Sequence, residues 1–177
     1  MGLSLARALP LLFLAVFVSG LGCGYKVVRY GGGLGEVRTV SVRTPENESF
    51  EPGVEFMVAD ALRREFLRRG AVRLTDDPSQ ADLVLSGSVL PINTAGRSFS
   101  SVVLTLEYEV TLRLELKAER ADGNQVGIDP RALRETERYL ASADVEATRK
   151  NRQEALHRLS TVLAGRVHDA LYQVLVQ

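Results

Sequence analysis

From Val102 to Ala118 every second residue is apolar: Val102, Leu104, Leu106, Tyr108, Val110, Leu112, Leu114, Leu116 and Ala118. Between them stand Val103, Thr105, Glu107, Glu109, Thr111, Arg113, Glu115 and Lys117. Successive strand residues point to opposite faces, so this run predicts one strand with a buried face and a wet face. Its 17 residues would extend about 56 Å at 3.3 Å each. Strands are usually about 5–6 residues long. This one must therefore twist strongly, bend at a bulge or project past the body of the domain.

The other segments arrange themselves around it. Val37 to Arg43 predicts a first strand, stopped by Thr44-Pro45-Glu46-Asn47. Gly53 to Arg69 predicts a helix, with Val54, Val58, Leu62 and Phe66 on one face and Gly70 as its C-cap. Arg63, Arg64, Arg68 and Arg69 complement the negative end of that helix; an anion site is the alternative. Asp82 to Ile92 predicts a buried strand with a bulge at Gly87, and Ile92 to Ser101 a polar loop. After the long strand, Asp122-Gly123 signals a hairpin turn, and Arg131 to Leu140 a return strand with charges on both faces. Asp144 to Val176 predicts a long helix with an apolar stripe through Leu156, Leu159, Leu163 and Val167. The expected fold is α+β: a two-layer sandwich in the order β-α-β-β-β-α. Two helices would pack on one face of a mostly antiparallel four-stranded sheet.

Charge and cysteine content narrow the function. The chain has 22 basic and 22 acidic residues, a balance that argues against nucleic-acid binding. Its single cysteine can build neither a disulfide framework nor a multi-cysteine zinc site. Residues 1–22 hold one charged side chain, Arg7, and an apolar run of 11 residues from Ala8 to Val18. That is too short for a membrane span, which needs about 20, and reads as a signal peptide. Cys23 follows Gly20-Leu21-Gly22, which resembles a bacterial lipobox. An unpaired cysteine in an exported chain needs an explanation. Acylation supplies one, with a diacylglycerol on the thiol and an N-acyl chain on the new terminus. Residues 23–35 then form an acylated cysteine and glycine-rich tether, and 36–177 one sandwich domain. Several acyl chains hold a soluble body at a membrane, at about 0.8 kcal/mol per buried CH₂.

No catalytic constellation stands out, and no metal site. His157 and His168 are 11 residues apart on the last helix, about 16 Å by helical rise, too far to share a metal. HExxH, GxSxG and Walker patterns are absent from the sequence. Glu107 and Glu109 make a carboxylate pair on one strand face. Arg113 and Lys117 on the same face favour a solvated charge mosaic over a hydrolase.

The start Cys23-Gly24-Tyr25 is similar to that of the LPS-assembly lipoprotein (LptE) family. The later order resembles the family too: an Arg-rich helix ending Arg68-Arg69-Gly70, a long alternating strand, the Asp122-Gly123 turn, a strand ending Tyr139-Leu140 and a basic-to-apolar terminal helix. The resemblance implies a non-enzymatic outer-membrane lipoprotein on the periplasmic face. Its partners would be lipopolysaccharide and a large β-barrel, LptD, in which it would sit as a plug. Gly24 after the cysteine is similar to lipoproteins sorted to the outer membrane. Arg97, Arg149, Lys150 and Arg152 are then the candidates for lipid A phosphates, since arginine pairs with phosphate bidentately. A solvated helix end is the alternative for the last three. The rival reading of the whole chain is an envelope lipoprotein serving as accessory subunit of another secretion or efflux assembly.

Overall fold

The alternating run forms one strand from Thr105 onward, and its length is accommodated by dividing the strands that pair with it. The computed structural model describes residues 34–70, 72–99, 101 and 105–176, all within one compact unit. The expected signal peptide, Cys23 and the tether up to Gly33 lie outside the described residues, as do Val102, Val103 and Leu104. In chain order the elements are β1 (Thr39–Val42), β2 (Glu46–Asn47), α1 (Val54–Arg69), β3 (Arg73–Leu74), β4 (Leu83–Val89), β5 (Asn93–Phe99), β6 (Thr105–Arg120), β7 (Gln125–Val126), β8 (Arg134–Leu140) and α2 (Val145–Val176).

The strand β6 is the spine. Glu107 to Thr111 pair with β5 and β8 at once, and Ala118 and Glu119 with β4 and β7 at once. Two short strands thus follow one another along β6 where one long partner would have to match its twist. The changeover from β4 to β5 is at Leu90, whose N–H donates to the Arg113 carbonyl at 3.0 Å. Alternation holds along the described run: Val110, Leu112, Leu114 and Ala118 are buried, while Glu115, Lys117 and Glu119 are exposed. Two residues break the pattern: Leu106 is exposed, and Thr111 is a buried polar residue whose hydroxyl meets that of Thr136 on β8 at 2.9 Å.

The α+β class stands, with two helices among the described residues, but the sheet there has eight strands where four were expected. Three of the added strands are two-residue pairings (β2, β3, β7) too short to leave a periodic signal. The fourth, β5, occupies the segment expected to be a polar loop. The sheet is also mixed: β1 runs parallel to β3 and β4, and β2 parallel to β4. Parallel pairing follows from α1, which carries the chain back so that β4 starts from the same end as β1.

One core fills the space between sheet and helices. From α1 it takes Val54, Val58, Leu62 and Phe66, and from α2 Leu156, Leu159, Leu163, Val167 and Leu171. Each such side chain contributes about 1.5–3 kcal/mol by leaving water. Gly70, at φ 69°, caps α1 by donating its N–H to the Phe66 carbonyl. The bulge expected at Gly87 is not formed, since β4 pairs with β6 in unbroken register through it; its φ is 149° and a β-carbon there would stand 1.9 Å from the Glu115 carbonyl oxygen, so only glycine lets the two backbones approach.

The C-terminal arginines of α1 serve a buried partner. Glu65 is 8% exposed and accepts from Arg68 Nη2 at 2.6 Å and Arg69 Nε at 2.8 Å. These arginines, the Arg68 hydrogen bond above all, hold its pKa at about 2 against the cost of burial. Arg69 Nη2 reaches on to Asp169 of α2 at 2.9 Å, joining the two helices.

Candidate functional site

The sequence candidates converge on the end of the molecule where β5, β6, β8 and the first turns of α2 meet. Register defines two faces there. Val110, Tyr108 and their partners Thr94, Glu137 and Tyr139 look toward the helices. Glu107 and Glu109, with Ala95 and Arg138 opposite the latter, look outward.

Arg97 sits where the β5 register shifts between Gly96 and Ser98. A bulge re-aims a side chain that regular pleating would send elsewhere. Its Nε donates to Glu109 Oε2 at 2.9 Å, and the side chain remains half-exposed. Arg138, which sequence reasoning did not single out, comes to the same carboxylate: its Nε is 3.7 Å from Glu109 Oε2 and its Nη1 3.8 Å from Glu107 Oε2. Two arginines thus share the Glu107–Glu109 pair on an exposed face. The signal for Arg138 is the pairing register of β8 against β6, which no single segment carries.

The basic residues of α2 divide. Arg149 pairs with Glu146 at 2.7 Å and Lys150 with Glu154 at 3.9 Å, both in solvent. Arg152 turns inward. Its Nε donates to Glu51 Oε2 at 2.8 Å, and its Nη1 to the Thr94 hydroxyl at 2.6 Å and the Tyr139 hydroxyl at 3.4 Å. Burial opposes its charge, but Tyr139 and Glu51 outweigh that and raise its pKa above the ordinary arginine value. The structure therefore places Arg97 on the outer face, Arg152 on the helix-facing side, and Arg149 and Lys150 at the helix surface. The four do not form one cluster.

The return strand β8 explains its charges on both faces. Glu135 and Glu137 face α2 and are paired by Arg166 and Arg158. Beside them lies a shallow cavity of about 210 Å³ lined by Arg138, Tyr139, Leu140, Asn151, Glu154 and Arg158. Phe99, Leu106, Leu140 and Val145 are exposed at this same end. Charged arginines bordered by exposed apolar side chains suit an amphipathic ligand better than a polar one.

Other chemistry finds less support. Glu107 and Glu109 hold arginines rather than a reacting group. His157 is exposed, whereas His168 is buried against the Phe66 ring. Among the described residues no three His, Cys, Asp or Glu gather as metal ligands, and no helix is long and apolar enough to cross a membrane.

Comparison with known proteins follows this geometry. No match was found among curated proteins. Among solved structures, the chain is similar to the rare lipoprotein B from Shewanella oneidensis, at 15% identity and a TM-score of 0.55, covering 78% of this chain and 97% of that one. It is also similar to lipoprotein B from Nitrosomonas europaea, at 13% identity and a TM-score of 0.54, covering 86% of this chain and 91% of that one. These likenesses concern the fold. The lipopolysaccharide-assembly (LptE) family profile matches residues 37–171, from the approach to β1 to the last turns of α2. The chain is a member of the LptE family of lipopolysaccharide-assembly proteins.

Proposed function

We propose that the protein is a non-enzymatic lipoprotein, acylated on Cys23 and held at the periplasmic face of the outer membrane. It acts there as plug and partner of an LptD-like β-barrel and contacts lipopolysaccharide. The observation that carries this reading is the family match over 37–171. The outer face of the sheet supports it: alternating carboxylates and guanidiniums, close to neutral in sum, suit the polar lumen of a barrel.

For lipopolysaccharide, Arg97, Arg149, Lys150 and Arg152 remain the candidate contacts, and Arg138 joins them through Glu109. Arg97 and Arg138 are the better placed, since both are exposed and could exchange a shared carboxylate for a phosphate. Arg152 would act by positioning β5 and β8.

The test has two arms. Membrane extracts pulled down on the tagged full chain should yield a large β-barrel; an efflux or secretion complex in its place would favour the rival reading. Purified protein with Arg97→Asp, Arg149→Asp and Lys150→Asp should lose lipopolysaccharide binding. Unchanged binding would reject these contacts and leave the plug role standing.

A further inference from the structure

The outer face carries a second polar feature, built from β2, β4, β6 and the residues that follow β1. It is a groove of about 350 Å³ whose lining includes Arg43, Glu46, Ser86, Ser88, Glu115 and Lys117. Ser86 lies opposite Lys117, and Ser88 opposite Glu115 on β6 and beside Glu46 on β2. Arg43 follows β1, and its N–H donates to the Leu85 carbonyl at 2.9 Å, which sets it next to Ser86. Two rows therefore cross the sheet: Arg43–Ser86–Lys117 and Glu46–Ser88–Glu115. They are two residues apart along β4, about 6.6 Å.

The rows leave their chemistry unused. Among the described residues, neither Arg43 nor Lys117 has a carboxylate within 4.0 Å, and the hydroxyls of Ser86 and Ser88 hydrogen-bond to no other side chain. The serines are half-buried and form the floor; the charged residues are exposed and form the walls. A bare anion would suit the basic row and be repelled by the carboxylates one step along. A bare cation would meet the reverse. A ligand matching both carries an anion at one end and hydrogen-bond donors at the other. Guanidinium, ammonium and hydroxyl are donors for phosphate, and carboxylates accept from sugar hydroxyls.

We propose that this groove binds a phosphorylated saccharide, with its phosphate over Arg43, Ser86 and Lys117 and its ring hydroxyls along Glu46, Ser88 and Glu115. The inference goes beyond the arginine end of the sheet and does not depend on it. It stands if Arg97→Asp abolishes lipopolysaccharide binding and equally if it does not.

The experiment is an amide NMR titration of the full chain in detergent micelles with glucose 6-phosphate, glucose and inorganic phosphate. Glucose 6-phosphate should shift the amides of Ser86, Gly87 and Ser88 saturably, and at least tenfold more tightly than either fragment. Lys117→Ala should weaken it about tenfold, the loss expected for one charge-assisted hydrogen bond, with the rest of the spectrum unchanged. Competition by lipopolysaccharide micelles would identify a glycolipid headgroup as the natural source, and its absence a free sugar phosphate; both support the site. Absence of saturable shifts at Ser86–Ser88, or an equal response to inorganic phosphate, would overturn it.

Discussion

Arg152 and Glu51 are 101 residues apart in the chain and joined at 2.8 Å, from the third turn of α2 to the segment before α1. Both side chains are about three-quarters withdrawn from solvent. With Thr94 and Tyr139 on the same guanidinium, one residue ties α2, β5, β8 and the entry to α1 together. Arg152→Ala leaves Glu51 partly buried and unpaired. The expected loss is about 2–3 kcal/mol, a fall in Tm of about 5–10 °C for a domain of this size. Arg152→Lys should recover little, because a point charge cannot replace a fork serving three acceptors. Thermal unfolding followed by circular dichroism reads both.

Gly87→Ala should be among the most damaging small substitutions. The new methyl would meet the Glu115 carbonyl at 1.9 Å in a backbone conformation that side chains rarely adopt. Separating β4 from β6 at that point costs about 2–4 kcal/mol. Gly123→Ala, also at positive φ but in open space, should cost no more than about 1–2 kcal/mol. Urea midpoints of the two variants should differ in that order.

The Glu65 cluster makes stability depend on acid. Its folded pKa of about 2 lies below the ordinary 4.5. Between those values the unfolded chain binds the proton and the folded one does not, so stability rises with pH. The contribution is complete above about pH 4.5 and is lost as pH falls through about 2. It amounts to on the order of 3 kcal/mol, reduced because Arg68 is largely solvated. Glu65→Gln should be less stable than the parent at pH 6 and approach it near pH 2, which denaturant titrations across that range will show.

A second titration sits on the other helix. Burial first, then the charge of Arg69, lowers the pKa of His168 below 6.5. Its Nδ1 is buried without a hydrogen-bond partner, which suits a neutral ring. Glu65, Arg69 and Asp169 are the charged groups around it. Here the unfolded histidine takes up the proton first, so stability declines as pH falls below 6.5 toward the folded value. His168→Leu should remove that slope while leaving the Glu65 transition in place.

Arg97→Ala and Arg138→Ala should each cost less than about 1 kcal/mol, as exposed ion pairs do. Loss of lipopolysaccharide binding in these variants can then be read without unfolding, checked by Tm on the same samples.

The elements most legible in the sequence are those with strong periodicity. The alternation around Val110 and Leu112 announced β6, and the four-residue spacing of Val54, Val58 and Leu62 announced α1, because burial on one side imposes a period. Asn93 to Phe99 has no such period. It is an edge strand mostly exposed on both faces, held by backbone bonds to β6 that any side chain permits. The candidate site was legible as residue types and not as an arrangement. Arg97 was recognised as a cation, but its place beside Arg138 follows from a bulge and a register. Arg152 reads in the sequence as a candidate phosphate contact or a solvated helix charge, since Glu51, the partner that draws it inward, stands 101 positions earlier.

The spine has a kinetic consequence. The strands β4 and β5 are made before β6, and β4 exposes the edge that β6 will fill until residue 120 has joined. Until then Leu83, Leu85 and Val89 have half their sheet missing. Pairing over such separations, part of it parallel, is slower than the local contacts that fold helical bundles. A chain crossing a membrane unfolded would pass through this state on arrival, with an unpaired apolar strand open to any neighbour. Variants that slow the docking of β6 should therefore fail by aggregation before they fail by instability.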